Sequence, residues 1–307
     1  MENLILCFES GGTKLVAALF DSHGNILERQ VIRRSVAQKA EDTVKSLCLA
    51  GKKMAAELGQ PAAVGWGFGG TVDRSTGNPV YCYHEDGWGE FDAPAIVRGE
   101  FNNIPVFVEN DCNMGALAEA WEEGSEPPEM LFFSTLGTGI GGGIVRRGEI
   151  QQFSRAGEGE IGHLVVDPEG IPCSCGNRGC LETLCSGPGM ENLSLKVTGR
   201  KMNSYEIMEN YRKGDPDALK IAEKGADYLA IAFSAVINIL APDEIVLGGG
   251  LMWENEDFLK LIECRSKALS FPVFRENVRF RLSSLGENLV CKGAYIFASQ
   301  NLSRLQK

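Results

Sequence analysis

Short apolar runs separated by glycine-rich turns alternate along this chain with longer stretches in which apolar residues recur at helical spacing. The first run, Leu4 to Glu9, meets the turn Ser10-Gly11-Gly12-Thr13-Lys14. A second run, Leu15 to Phe20, the turn His23-Gly24-Asn25 and a third strand follow. Runs of this length bounded by Gly, Ser and Asn predict a β-meander. The order returns later as a strand Met130 to Leu136, the turn Gly137-Thr138-Gly139-Ile140-Gly141, a strand Gly142 to Val145, the turn Arg146-Arg147-Gly148 and a short strand from Glu149. Identity between the two copies is weak, so the repeat rests on the matching order of strand, glycine turn and strand.

Between the copies the pattern predicts a helix over Ala40 to Leu58, an apolar strand Ala63 to Phe68, and a strand Val106 to Glu109 running into a helix that begins near Asp111. In the second half Asp215-Pro216 supplies an N-cap and a first-turn proline for a long helix to about Leu240. Asp243 to Leu247 is a strand and Gly248-Gly249-Gly250 a turn, with helices near Asp257 to Leu269 and Glu287 to Ser299. Alternating strands and helices in two similar halves predict an α/β protein whose ligand lies between two lobes. The N-terminal lobe is expected over 1–115, with the last helix, about 288–307, returning to it, and a larger lobe over 116–287. A hinge is expected near 110–120.

Composition narrows the function classes. The chain has 307 residues, 44% of them apolar and 23% charged, which is enough for two separate cores. A net charge of −11 argues against nucleic acid. The basic dipeptides Arg33-Arg34 and Arg146-Arg147 read as solvated strand ends. No apolar stretch reaches membrane-spanning length. Glu2 and Asn3 stand where a signal peptide would be basic, so a cytoplasmic chain with reduced thiols is expected.

Ten cysteines make that expectation matter. Cys173, Cys175 and Cys180 lie in Cys173-Ser-Cys-Gly-Asn-Arg-Gly-Cys180, ten residues after His163. Three thiolates and one imidazole form the closed tetrahedral shell of structural zinc, with no open position for a reactive water. The alternative is a Cys173–Cys180 disulfide, which reduced thiols disfavour. Bound there, the metal would order a polar, glycine-rich loop and fix Glu160 and Glu182, neither of them a ligand, toward the hydroxyls of a sugar. Cys7, Cys48, Cys112, Cys264 and Cys291 have apolar surroundings and are expected in the core. Cys82 and Cys185 fit either description.

The turn Ser10 to Lys14 presents backbone amides that a phosphate approaches closely, because Gly11 and Gly12 lack β-carbons; Thr13 and Lys14 add a hydroxyl and a cation. A plain hairpin is the simpler reading of that turn alone. The turns around Gly137, Thr138 and Gly139 and around Gly248 and Gly249 repeat the feature, and three such cradles suit a nucleoside triphosphate. Neither the Walker nor the dinucleotide spacing is present. Asp111 follows the strand Val106 to Glu109, where Asn110 or Asp111 serves as a helix N-cap. A carboxylate at that strand end also suits a base that takes a proton from an alcohol attacking the terminal phosphate of ATP, with Mg²⁺ neutralising charge. Lys14 and His84 read as ordinary turn and loop residues.

These pieces together resemble the ROK family of bacterial sugar kinases and sugar-responsive repressors, in the right order over nearly the whole chain: Glu9-Ser10-Gly11-Gly12-Thr13-Lys14, Glu109-Asn110-Asp111, Leu136 to Gly142, Glu160-Ile161-Gly162-His163, Cys173 to Glu182, and Leu247-Gly248-Gly249-Gly250. The resemblance implies an actin-like ATPase fold, hexokinase-type and ribonuclease H-like, binding ATP and a hexose between two lobes. It implies Asp111 as general base; Asn110, Glu160, His163 and Glu182 around the sugar; zinc on His163, Cys173, Cys175 and Cys180; and a homodimer. The family usually has Asp where this chain has Glu9, near Mg²⁺ and the phosphates. The loop Gly67 to Asp73 lacks the family's proline, and Tyr81 to Trp88 departs from its sugar-contacting loop. The expected activity is transfer of the γ-phosphate of ATP to a hexose, at the 6-position of glucose or a relative. A non-catalytic sugar sensor is the alternative. A repressor would carry a helix-turn-helix domain ahead of the first glycine turn, which begins here at residue 10.

Overall fold

The computed structural model describes residues 3–34, 38–82, 84–122, 126–155 and 157–306. The chain divides into two compact units: residues 1–122 with 150–158 and 287–307, and residues 123–149 with 159–286.

In the first unit, β1 (Ile5–Ser10), β2 (Lys14–Phe20) and β3 (Ile26–Arg33) form the antiparallel meander. Helix α1 (Ala40–Leu58) then leads to β4 (Ala63–Phe68), a short ribbon of β5 (Thr71–Asp73) and β6 (Asn78–Tyr81), helix α2 (Ala93–Glu100), β7 (Val106–Asn110) and α3 (Asp111–Ala120). The sheet order is β3-β2-β1-β4-β7, with β1, β4 and β7 parallel. Strand β1 is buried on both faces, as an unbroken apolar run demands. Leu6 and Phe8 join the core under α1 and α2, while Ile5 and Cys7 join the core under the C-terminal helix Leu289–Leu305. Glycines let that helix come close: a β-carbon on Gly65 would stand 2.2 Å from the Ala294 carbonyl oxygen, and one on Gly293 would stand 1.8 Å from that of Met114.

The register places the chemistry. Ser10 lies opposite Phe68, and Phe68 opposite Asn110, so three parallel strands end together. Their continuations, Gly11 onward, Gly69-Gly70 and Asp111, emerge along one edge of the sheet, where parallel α/β sheets bind ligands.

The second sheet repeats the plan with β8 (Met130–Leu136), β9 (Ile140–Arg146) and β10 (Glu149–Ile150) as its meander. After α4 (Leu181–Cys185), α5 (Gly187–Thr198), α6 (Ser204–Arg212) and α7 (Pro216–Leu240) come β11 (Glu244–Gly248), α8 (Glu256–Leu269), α9 (Pro272–Arg275) and β12 (Arg279–Leu282). The order β10-β9-β8-β11-β12 mirrors the first sheet, which bears out the architectural repeat. Asp215 caps α7 as the sequence predicts, accepting from the Asp217 and Ala218 amides.

Three expectations change. The second glycine turn is only Gly137-Thr138-Gly139, because buried Ile140 already pairs with Leu136 across the hairpin. Cys264 is exposed rather than core, since the apolar face of α8 runs through Phe258, Leu259 and Ile262 and position 264 falls outside it. Arg34 is no solvated strand end: its side chain is 6% exposed and pairs with Glu85 at 2.8 Å. Arg146 and Arg147 do lie at the surface, both paired with Glu129. Among the described residues no helix is long and apolar enough to cross a membrane.

Candidate active site

Asp111 opens α3, and Asn110 caps it. The Asn110 Oδ1 accepts from the amides of Cys112 (2.8 Å) and Asn113 (3.3 Å), and its Nδ2 donates to the Gly70 carbonyl (3.1 Å). The cap sets the direction in which the chain leaves β7 and ties that corner to the Gly69-Gly70 loop. Gly69 is the junction of the site. A β-carbon there would stand 2.9 Å from the Ser10 carbonyl oxygen, 3.3 Å from Asp111 Oδ2 and 3.4 Å from Gly11 Cα. Only a residue without a side chain lets the carboxylate and the first glycine turn share this space.

The turn itself is tight. The Gly11 amide donates to the Lys14 carbonyl (3.1 Å), with Gly12 and Thr13 exposed at its tip and Lys14 already in β2. Glu9, one residue before β1 ends, is 8% exposed and lies 3.9 Å from the Cys291 thiol. Burial pushes its carboxyl from an ordinary 4.5 up to about 7, against the pull of Lys14 and with added repulsion from Asp111.

The raised carboxyl couples folding to pH. Below about pH 4.5 Glu9 is protonated in both folded and unfolded chains; as pH rises toward 7 only the unfolded chain gains by ionising, so the folded state loses relative stability. Replacing Glu9 with Gln should leave the melting temperature of the metal-free protein unchanged near pH 4.5. It should raise that temperature by several degrees at pH 8, where the removed penalty is about 3 kcal/mol. Thermal melts at the two pH values check this, and equal shifts at both would refute it.

Beneath the corner lies a buried ion cluster with no local sequence signal. Arg74 donates to Glu109 (Nε to Oε2, 2.9 Å) and to Glu158 (Nη1 to Oε2, 2.8 Å), and its Nη2 sits 2.7 Å from Glu158 Oε1 without hydrogen-bond alignment. Gln152 Nε2 also donates to Glu109 (3.0 Å), whose Oε1 accepts from the Asn110 amide (2.8 Å) and Asn113 Nδ2 (3.2 Å). The cluster thus pins 150–158 to the first unit and braces the residue preceding Asn110. Arg74→Met would leave two carboxylates buried without their cation, a loss of about 3–5 kcal/mol. Urea denaturation should show it, with part regained when Glu109→Gln and Glu158→Gln are added. A single variant as stable as the wild type would show that the cluster is not coupled.

In the second unit, the ligand atoms of His163, Cys173, Cys175 and Cys180 all lie within 4.8 Å of one another. Cys175 and Cys180 sulfurs are 3.6 Å apart, and the Cys173 sulfur is 3.7 Å from His163 Nδ1. Tetrahedral zinc with ordinary bond lengths requires edges of about 3.6–3.8 Å, so the donors fit the ion in number, type and spacing. The loop closes through the Val166 and Asp167 amides on the Gly179 carbonyl, and through the Gly179 amide on the Ile171 carbonyl. Gly179, at φ +65, is obligatory because a β-carbon would lie 1.5 Å from the Asp167 carbonyl oxygen. His163 Nε2 faces Glu160 Oε2 at 4.0 Å, beyond hydrogen-bond distance.

Glu182, in the first turn of α4, sends Oε2 to the Ile140 amide (2.9 Å) and lies against Gly139. It therefore braces the second glycine turn. At the third turn Gly249, at φ +88, lies against the Leu136 carbonyl. Beside it opens a cavity of about 440 Å³ whose walls include Tyr205, Arg212, Gly250, Trp253 and Asn255. Arg212 donates to Asn255 Oδ1 at 2.8 Å, while Tyr205 and Trp253 are largely exposed. Sequence reasoning missed this cavity; the one local signal was an aromatic three residues beyond the last glycine.

The structure thus brings together Glu9, Gly11, Gly12, Thr13, Lys14, Asn110 and Asp111 in the first unit. In the second it groups Glu160 and His163 with the cysteines, and joins Glu182 to the Gly137–Gly139 turn. Tyr83, part of the Tyr81 to Trp88 loop, lies outside the described residues.

Comparison with known proteins follows the same lines. The ROK family model matches residues 5–301. The glucokinase of Halalkalibacterium halodurans is 29% identical, over 97% of this chain and 95% of that protein. The N-acetyl-D-glucosamine kinase of Pasteurella multocida is 31% identical, over 87% of this chain and 90% of its own length. The crystal structure of a ROK family glucokinase from Streptomyces griseus in complex with glucose and AMPPNP superposes with a TM-score of 0.81, at 27% identity over 97% of this chain and all of that one.

Proposed function

The chain belongs to the ROK family, and from that premise we propose that it is an ATP-dependent sugar kinase, transferring the γ-phosphoryl group of ATP to a hydroxyl of a hexose or amino sugar. The observation that carries the reading is the convergence at Gly69 of the Asp111 carboxylate and the first glycine turn.

Asp111 accepts the proton of the attacking hydroxyl, and the Asn110 cap holds it at the mouth of α3. The turn Gly11 to Lys14 receives phosphate oxygens on its amides and Lys14 supplies a cation. The turns at Gly137–Gly139 and Gly248-Gly249 serve the remainder of the nucleotide, and the Tyr205–Trp253 cavity suits its base by its aromatic walls. Glu160, His163 and Glu182 serve the sugar, with Asn110 beside them in role. The buried Glu9 carboxylate, close enough to feel Asp111, suits a Mg²⁺ that neutralises the phosphates when bound. Zinc on His163, Cys173, Cys175 and Cys180 is structural in this reading, because four protein donors leave no open position.

The 6-hydroxyl of glucose or a close relative is the proposed acceptor. Discrimination among glucose, N-acetylglucosamine, N-acetylmannosamine, mannose, fructose and allose turns on one hydroxyl or acetamide pocket. The enzyme is proposed to be cytoplasmic and homodimeric, and to bind no nucleic acid, the last supported by its net charge of −11.

A coupled assay of ATP consumption over that sugar panel tests the reading. Turnover with at least one sugar is expected. Calorimetric sugar binding without turnover on any of them would replace the kinase with a sensor.

A further inference from the structure

We propose that His84 is a contact for the terminal phosphoryl group of the nucleotide, donating from its imidazole to a phosphoryl oxygen at the Gly11–Thr13 turn; this rests on the reading of that turn as the phosphate-binding one. A β-carbon on Gly12 would stand 2.7 Å from His84 Cδ2 and 3.0 Å from Nε2. The ring therefore fills the space a side chain at position 12 would take, and glycine there is the condition for its approach.

Buried structure holds it in place. Arg34 donates through Nη1 to the Gly11 carbonyl (3.0 Å) and through Nη2 to the His84 carbonyl (3.4 Å), and its backbone amide faces the Thr13 carbonyl (3.5 Å). One residue thus clasps both the turn and the backbone of His84. Arg34 is paired at 2.8 Å with Glu85, whose side chain is 2% exposed. Glu85 in turn accepts from Thr43 Oγ1 (2.6 Å) and Trp88 Nε1 (2.8 Å). Such a fully bonded buried pair is costly to assemble, and it ties down the backbone from which the exposed histidine projects toward Gly12.

Position selects the phosphoryl group. A β-carbon on Gly69 would meet both Asp111 Oδ2 (3.3 Å) and Gly11 Cα (3.4 Å), while His84 lies against Gly12, so the carboxylate and the imidazole flank the same turn. A phosphoryl group under attack by a hydroxyl that Asp111 deprotonates lies within that span. An imidazole N–H donating to its oxygens makes a charge-assisted hydrogen bond.

Calorimetry with Mg²⁺ and no sugar tests this, using AMPPNP and ADP with the wild type, His84→Ala and His84→Gln. The alanine variant should bind AMPPNP about tenfold more weakly while its ADP affinity is unchanged, and glutamine, which keeps a donor, should regain part. Equal loss for both nucleotides would mean a distorted turn and overturn the proposal. So would unchanged AMPPNP binding, a loss confined to sugar affinity, or a wild type that binds neither nucleotide. A wild type that binds AMPPNP with the stated discrimination but phosphorylates no sugar sinks the kinase reading and leaves this one standing.

Discussion

Asp111→Asn should lower kcat by well over a hundredfold with any hexose that the wild type phosphorylates, while calorimetric affinity for that sugar stays within a few-fold. A positioned general base contributes about 10² to 10⁴ to rate, and an amide cannot accept the hydroxyl proton. The start of the helix survives the substitution. Helix α3 is capped by Asn110, so its first turn does not depend on position 111 for a hydrogen-bonded start. Losing one negative charge near the helix N-terminus weakens the dipole interaction by about 0.3–1 kcal/mol, too little to unfold the corner. The same change relieves the repulsion that Asp111 exerts on Glu9, which works against that small loss. Retention of activity within a few-fold, in a variant of normal stability, would remove Asp111 from the proton path.

How far the sequence foretold this arrangement depended on the range of the forces involved. Helix α1, strands β4 and β8 and helix α7 end where periodicity and capping residues place them, because those signals are local: a buried face at helical spacing, an unbroken apolar run, an Asp-Pro start. The β5–β6 ribbon and α2 were not foreseen. Three- and four-residue strands carry too little pattern, and α2 has only eight residues behind its Asp92 cap. Long-range ion pairs were wholly illegible. Arg34 reads as a solvated strand end until Glu85 arrives from 51 residues downstream, and nothing near Arg74 in the sequence points to Glu109 and Glu158, which close on it. The cysteine segment lay at the other extreme: ligand type and spacing are written in the residues themselves, and folding only had to bring His163 to them.

The Cys180→Ser variant should lose its zinc and, with it, the folded state of the loop 163–182. Protein purified without chelator should carry about one zinc ion per chain. Cys180 is fully buried, and burial pushes its thiol up to about 12, so in the metal-free chain it keeps its proton; Cys175, exposed, is drawn down to about 7 chiefly by the Asn177 amide. Zinc must displace the buried proton, and its apparent affinity should climb with pH. Binding free energy at such four-donor sites reaches about 10–16 kcal/mol at neutral pH, which is folding free energy for a loop with few apolar contacts of its own. The damage should spread along the chain from Cys180. That residue is the N-cap of α4, and Glu182 two positions on holds the Ile140 amide, so loss of the metal frees the second glycine turn as well. On the other side His163 loses its orientation toward Glu160. Metal analysis, thermal melting and activity should therefore fall together in Cys180→Ser, and to a lesser degree in Cys175→Ser, whose side chain lies at the surface. Wild-type protein free of zinc, or a Cys180→Ser variant that melts and turns over like the parent, would show that the four donors meet for another reason.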